Sequence, residues 1–561
     1  MVRQNSSRYL KIASIFIFFA TVFYICLAPL RDPDLWFHIK MGELFAHNGL
    51  VYNEVFSYSA QGREFMPYEW LFQVSVYWLE QLFGLNSIKY AASLIQTIQI
   101  GFLFLILRRI FKANLIAAFL ISLFYLTFTL EFVTARPHVP AYTFFMATLY
   151  LILEYSNSAR LRWLIPTIPI MLVWSNTHGS MFLGIGLFGS YAGVCLLNYI
   201  FRGQRKDWLK KFITLAVFTI LSAILTILPP LGFGQYQLLW KFFQHRELLS
   251  RFIEEWAPLS NNGFGYVFYT AIAVSVYSGL LGYFLITKKI KENLWLIPLI
   301  PFPILAFTAS RNLVLGMISL SIIAGWLLSK VNWNLTGVKK YILISLLAVF
   351  IIWISWVIYQ KKIPERLYYP VKAVDFIDKY DLQGNMFNEY GYGGYMIYRL
   401  FPKKQVFYDG RTEMYLCCEM PDTLELALKK YESDEQFKPT MDWLWNKYNI
   451  SYVIMRSQKH SVLRKMGRIL TDDPNWSLAY WDDDSMIYLR KDGKNDQLIK
   501  DLGTTAATPY NQNPVREGQE DLAFEEYQRM IKVTDSSKSR NALGFILLKS
   551  CLLYTSDAAD E

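Results

Sequence analysis

The chain has little of what usually marks a soluble enzyme. Among 561 residues there are 5 cysteines and 6 histidines. Cys26 and Cys195 lie in apolar runs and Cys417 and Cys418 are adjacent, so no disulfide framework or metal-ligand spacing is present. Charged residues make up only 18% of the chain. No P-loop lysine follows a glycine-rich turn. Gly391, Gly393 and Gly394 in EYGYGGYMIYRL lack the dinucleotide spacing and read as a tight strand-to-helix turn. What the chain has instead is 53% hydrophobic and 17% aromatic residues, too apolar for an ordinary soluble protein of this length. The net charge of +11 does not indicate nucleic acid. Its Lys and Arg residues sit in short clusters between apolar runs, which is the pattern of membrane topology.

A membrane-crossing helix needs about 20 apolar residues. That length predicts eleven spans, near 10–30, 87–107, 113–133, 139–156, 162–175, 180–201, 212–231, 264–287, 293–309, 312–329 and 341–359. The first is long enough to span and lacks a small-residue cleavage site, so it is expected to be an uncleaved helix. The stretch 70–84, WLFQVSVYWLEQLFG, is apolar and aromatic but short, and Gln73, Glu80 and Gln81 interrupt it. It is expected to lie at the membrane interface, where Trp and Tyr are favoured. With the amino end cytoplasmic, the cations concentrate in short inside connections, above all Arg202, Arg205, Lys206, Lys210 and Lys211. Counting 70–84 as a span would put that loop outside, against the positive-inside rule.

On this topology several polar groups gather on the outer side. The first outer loop, 31–86, brings Asp32, Asp34 and His38 from RDPDLWFH, and Glu69 from YEW. Later connections bring Arg136 and His138 from ARPH, Asn176 and His178 from SNTH, Glu254 and Glu255 from IEEW, and Arg311 with Asn312 from SRN. Each has a plain alternative. The arginines can snorkel to headgroups, the histidines can cap helix ends, and the glutamates can belong to a solvated amphipathic helix over 236–256. Their joint placement favours a shared cavity. Ionisable groups at helix ends on one face argue against a transporter, which wants them near the bilayer midplane.

Beyond residue 360 the character changes. Residues 361–500 alternate charged helices with short β-rich runs: NMFNEY, QVFYDG, ISYVIMRS, SLAYW and SMIYLR. The last two are joined by Asp482–Asp484 as a hairpin, and the pattern is that of a small α/β domain. Asp409-Gly410-Arg411 ends a strand at a surface, where structural and binding roles are both open. Residues 501–519 read as a linker. Residues 520–550 have the helix-turn-helix rhythm of one tetratricopeptide (TPR-like) unit, which cannot bury its own face and so implies a protein partner or further repeats. The final CLLYTSDAADE, 551–561, reads as translated sequencing adapter rather than natural chain.

In order along the chain, DPDLWFH, FSYSAQG, YEWL, ARPH, SNTHG and YGYGGY with FYDGR resemble the GT-C integral-membrane glycosyltransferases. The resemblance covers about residues 10–490 and includes the protein O-mannosyltransferase and lipid A aminoarabinose transferase branch; it is closest to bacterial membrane proteins of that class. It departs at Leu35, where the first-loop Asp of better-understood branches is followed by Glu. The resemblance implies a polytopic α-helical bundle with an extracytoplasmic α/β domain in the bacterial cytoplasmic membrane. The donor would be a polyprenyl-phosphate-linked sugar, the acceptor is left open, and a divalent cation is compatible but not required. It implies Asp34 as general base, Asp32 and Glu69 as further carboxylates, and His38, Arg136, His138, Asn176, His178, Glu255 and Arg311 as substrate or phosphate partners. A non-catalytic scaffold working through the outer domain and tail is the competing reading.

Overall fold

A computed structural model of the protein describes residues 2–27, 29–201, 205–261, 263–331, 369–415, 434–457, 461–508 and 518–560. Two compact units emerge. The first comprises Met1–Asp32, Met41–Leu50 and Met66–Glu365; the second comprises Pro33–Lys40, Val51–Phe65 and Arg366–Glu561.

The first unit is helical. In chain order its elements are α1 (Val2–Ile25), α2 (Asp34–Asn48, entering from the second unit), α3 (Trp70–Phe83), α4 (Asn86–Leu105), α5 (Leu115–Thr129), α6 (His138–Ser158), α7 (Thr167–Ser175), α8 (Phe182–Phe201), α9 (Arg205–Leu225), α10 (Gly234–Gln244), α11 (Arg246–Phe252), α12 (Gly263–Thr287), α13 (Pro301–Leu305) and α14 (Leu313–Ser329). Among the described residues, 7 helices are long and apolar enough to cross a membrane: Arg8–Ile25, Asn86–Ile110, Leu115–Phe132, Gly179–Phe201, Lys206–Leu225, Gly265–Thr287 and Ser310–Ser329. The protein is a multi-pass membrane protein. Helix α6 is almost wholly buried among its neighbours, with Phe145, Leu149 and Ile152 at 0% exposure. It packs along α4, while α8 packs along α9 and α5 along α14.

Two expected spans take a different form, and one cannot be compared. The 293–309 stretch is broken into a 3-10 segment, Ile290–Leu299, with non-helical backbone at Asn293, followed by the short α13. Pro298, Pro301 and Pro303 remove the N–H groups that a continuous helix would need. The 162–175 stretch likewise divides into a 3-10 turn at Leu161–Trp163 and α7. The expected 341–359 span lies outside the described residues. The amphipathic helix expected over 236–256 forms as α10 and α11, ending in a 3-10 turn at Glu254–Trp256.

The second unit is built on a four-stranded sheet of order β1-β2-β4-β3. Its strands are β1 (Asn385–Asn388), β2 (Ile450–Arg456), β3 (Trp476–Trp481) and β4 (Ser485–Arg490). β1 and β2 run parallel, and β4 is antiparallel to both its neighbours. The strands are buried along almost their whole length, as in a sheet covered on both faces. The Asp482–Asp484 run does form the β3–β4 turn. Asp482 Oδ1 accepts the amides of Asp484 (2.8 Å) and Ser485 (2.6 Å), and its other oxygen accepts Tyr480 Oη at 2.6 Å.

The expected strand at QVFYDG is not part of this sheet. Its backbone instead meets the first loop: Val406 N–H donates to Phe56 O (2.9 Å), and Tyr58 N–H donates to Val406 O (3.2 Å). Val406 therefore pairs with residues 56–58 of the first loop.

At the carboxyl end the helix pair is observed as Glu520–Thr534 and Ser537–Asp560. Buried Glu526 accepts the amides of Thr505 (2.8 Å), Ala506 (2.9 Å) and Ala507 (2.7 Å). Replacing it with Ala leaves those N–H groups unsatisfied, at a cost of about 1–3 kcal/mol for each that stays buried. Glu526→Ala is therefore expected to raise amide hydrogen exchange at 505–507 while β2 and β4 remain protected; unchanged exchange there would show that the carboxylate is dispensable.

Candidate functional site

Polar side chains expected to act together fall, among the described residues, in both units. In the helical unit the cluster is assembled from loops at helix ends. Pro137 and His138 open α6, and Arg136 just before them forms an ion pair with buried Asp32. The same guanidinium reaches Glu255 Oε1 at 2.5 Å, so one arginine joins the first loop to the turn after α11. Arg311 lies in the 3-10 turn preceding α14, with its guanidinium 4.4 Å from the Trp256 ring centroid. The Ser310 amide donates to Ala257 O at 3.0 Å, which fixes the two turns together.

Two histidines complete this cluster. His138 is pushed down to about 3, first by burial and then by the nearby Arg136 and Arg311 cations. His178 is held well below the usual range by burial and by Arg311 and His138. Both are therefore neutral at pH 7. The tautomer of His178 follows from its partners: Ser180 Oγ accepts from Trp174 Nε1 (3.1 Å) and so donates to His178 Nδ1 (2.7 Å), and the Ser180 amide also donates there (3.1 Å). Nδ1 is an acceptor and the ring proton sits on Nε2.

Asn176 has a local role. Its side chain accepts Trp70 Nε1 (2.7 Å) and donates to Leu172 O (2.7 Å), and its carbonyl accepts the Leu71 amide (3.1 Å). It thereby holds the first turn of α3, whose N-cap residue is Glu69.

The second unit contains Asp34 and His38, four residues apart and so on one face of α2. Asp34 stands in the first helical turn, where the helix dipole favours a carboxylate. Its carboxylate lies against Gly410.

Beside it is a buried ionic network that the first-loop sequence did not disclose. Arg411 donates through Nη1 to Glu54 Oε2 (2.7 Å) and through Nη2 to Glu54 Oε1 (2.9 Å), and through Nε and Nη2 to the two oxygens of Asp409, both at 2.7 Å. All three residues are fully or nearly fully buried, at 2% exposure or less. Tyr415 Oη donates to Asp409 (3.0 Å), and the amides of Phe56 (2.6 Å) and Ser57 (2.7 Å) donate to Glu54. The rings of Phe56 and Phe65 flank the guanidinium at 5.0 and 5.8 Å. Burial pushes the Asp409 carboxyl up, but the Arg411 cation and hydrogen bonds outweigh it and hold the group below the usual carboxylate range. The signal available in the sequence was a lone Glu54 in an aromatic loop and a lone Arg411 in FYDGR.

No group of three or more His, Cys, Asp or Glu suited to a metal ion occurs among the described residues.

Two consequences can be measured. Glu54→Ala leaves a buried cation short of a partner and is expected to cost about 3–5 kcal/mol. By contrast Asp378→Ala, which removes the exposed Lys403–Asp378 pair (3.2 Å), costs less than about 1 kcal/mol. The apparent melting temperature of solubilised protein distinguishes them, and equal shifts would refute the buried network's importance. His138 supplies a pH dependence. Its folded pKa lies below its unfolded value of about 6.5, so its contribution is present above that value and is lost as pH falls through the window toward the folded value. Melting measured from pH 7 down to 5 should fall in the wild type and fall less in His138→Asn.

No protein-family model and no curated protein sequence matches the chain. Solved structures do. The Archaeoglobus fulgidus oligosaccharyltransferase in its apo form aligns at 11% identity over 85% of this chain and 74% of its own, with a TM-score of 0.51. The archaeal oligosaccharyltransferase AglB from the same organism, in complex with an inhibitory peptide and a dolichol-phosphate, aligns at 11% identity over 87% and 75%, with a TM-score of 0.54. ArnT from Cupriavidus metallidurans bound to undecaprenyl phosphate aligns at 13% identity over 87% and 98%, with a TM-score of 0.49. From the two oligosaccharyltransferase structures, the fold of this chain is that of the GT-C integral-membrane glycosyltransferases.

Proposed function

We propose that the protein is a membrane glycosyltransferase that moves a sugar from a polyprenyl-phosphate carrier to an extracytoplasmic acceptor with inversion at the anomeric carbon. The observation that carries this reading lies in the helical unit, where arginine and neutral histidine gather at the ends of α6 and α7 and at the turn before α14, groups suited to a phosphate on a chain whose first loop supplies carboxylates. The dolichol-phosphate present with AglB supports a lipid-phosphate donor. In this proposal the amino end is cytoplasmic, and the region 361–500, with the first loop, works outside the cytoplasmic membrane.

The proposed transfer is a single displacement. The acceptor hydroxyl attacks the anomeric carbon, its proton passes to the Asp34 carboxylate, and the bond from that carbon to the phosphate oxygen breaks. The leaving polyprenyl phosphate gains negative charge. Arg311, held over Trp256, and Arg136 are the cations that answer it, Arg being suited to bidentate phosphate contact. His178, neutral with its proton on Nε2, offers an N–H donor without requiring a charge to be buried, while the single N–H of neutral His138 faces Phe132 O at 3.4 Å. Asp32 and Glu255 act through Arg136 by setting its position. Asn176 acts through the Trp70 turn that begins beside Glu69, and His38 shares the face of α2 that carries the base.

Removing a positioned base typically costs on the order of 100-fold or more. In cells that depend on a plasmid copy of the full chain, Asp34→Asn is expected to raise the pool of polyprenyl-phosphate-linked sugar, read by mass spectrometry of extracted lipids. Unchanged pools and unchanged envelope glycans would instead support a non-catalytic scaffold.

A further inference from the structure

The second unit places two glycines of its sheet half against the very residues that open α2. A Cβ on Gly410 would stand 2.0 Å from Asp34 Oδ1 and 3.0 Å from Cγ. A Cβ on Gly394 would stand 2.4 Å from Pro33 O. A side chain at either position would force a shift, of the Asp34 carboxylate at Gly410 and of the Pro33 backbone at Gly394. Both backbones are fixed from behind. A Cβ on Gly393 would meet Tyr408 O at 2.4 Å and Asp409 Cα at 2.7 Å, so the YGYGG turn and the FYDGR turn lie in direct contact. The FYDGR turn is then clamped by Arg411 between Asp409 and Glu54. Asn388 Nδ2 also donates to Tyr408 O at 2.9 Å, and its Oδ1 accepts the Phe407 amide at 2.8 Å.

We propose that Gly410 and Gly394 form a seat for the Pro33–Asp34 pair, with Gly410 the positioning residue that fixes where the Asp34 carboxylate stands. This rests on the reading of Asp34 as the general base. A proton acceptor must lie within hydrogen-bond reach of the acceptor hydroxyl, and a displacement of about 1 Å can cost on the order of 100-fold. A carboxylate on a free loop would find that position only part of the time. Here the glycine backbone stands on one side of the carboxyl and limits how far it can reach. The seat therefore also makes the length of the side chain at position 34 critical. Glutamate keeps the acid but carries its oxygens one methylene further, into space that the Gly410 backbone already occupies.

The test uses the full chain and a donor that the cells supply themselves. Lipid extracted from Asp34→Asn cells, where the polyprenyl-phosphate-linked sugar accumulates, serves as substrate for solubilised variants, with membranes of the deletion strain as acceptor source. Gly410→Ala is expected to lower kcat about 100-fold with KM for the lipid within threefold of wild type. Asp34→Glu, which leaves every glycine intact and so is insensitive to any folding defect at position 410, is expected to lose turnover comparably. Gly503→Ala serves as a packing control in the same unit, since its Cβ would meet Ile499 O at 2.4 Å; it should keep the wild-type kcat of whatever fraction folds. If Asp34→Asn is inactive but Asp34→Glu or folded Gly410→Ala retains more than a third of wild-type kcat, the seat is overturned and the base stands. If Asp34→Asn cells show no accumulation, the base reading fails and takes the seat with it.

Discussion

One buried cation, Arg411, organises the second unit. Moving a guanidinium out of water is expensive, and its attraction to a single carboxylate seldom repays the cost. Here the repayment is distributed. Two carboxylates, Glu54 and Asp409, take the guanidinium through four short hydrogen bonds. Their remaining lone pairs are met by the Phe56 and Ser57 amides and by Tyr415. Every group in the network is spoken for, and that is the condition under which a buried ionic cluster specifies a structure rather than weakening it. Its members come from positions 54 and 409–415, so the network can close only if the first loop folds with residues 357 positions further along the chain, from Glu54 to Arg411.

A different balance governs the cluster in the helical unit. Arg136 is satisfied by Asp32 and Glu255, a neutralised arrangement that keeps a cation at the loop without leaving it bare. Among the described residues, Arg311 meets the aromatic face of Trp256 rather than a carboxylate. An aromatic face steadies a cation more weakly than a carboxylate does, typically by about 0.5–2 kcal/mol, and leaves its N–H fork more available to an incoming oxyanion. The neutrality of His138 and His178 follows first from burial and then from the nearby Arg311 cation, joined at His138 by Arg136, because each disfavours a further positive charge.

Much of this was legible from the chain. Apolar run lengths placed α1, α4, α5, α6, α8, α12 and α14 close to their observed positions, because a helix in lipid must be both long and uninterrupted. The β3–β4 hairpin was legible too, since Asp482 can only make its paired turn bonds where two apolar runs reverse. What the sequence hid were the interactions between residues far apart. QVFYDG has the composition of a strand, yet its backbone partners are Phe56 and Tyr58, and no local pattern reports a partner so distant. Glu54 was missed for the same reason: its counter-ion Arg411 lies 357 positions away and is met only when the loop and FYDGR come together. Proline defeated the 293–309 span in a way that hydropathy averages over, because Pro298, Pro301 and Pro303 are apolar yet cannot donate.

The division of the chain between its units adds a last step. The boundary falls at the peptide joining Asp32 to Pro33, so two carboxylates only two residues apart are fixed by different devices. Asp32 pairs with the Arg136 guanidinium, whereas the Asp34 carboxylate packs against the Gly410 backbone, where a side chain would collide with it. The first placement depends on a charge at position 136 and the second on the lack of a Cβ at position 410, so the two carboxylates answer to different substitutions although the sequence sets them side by side.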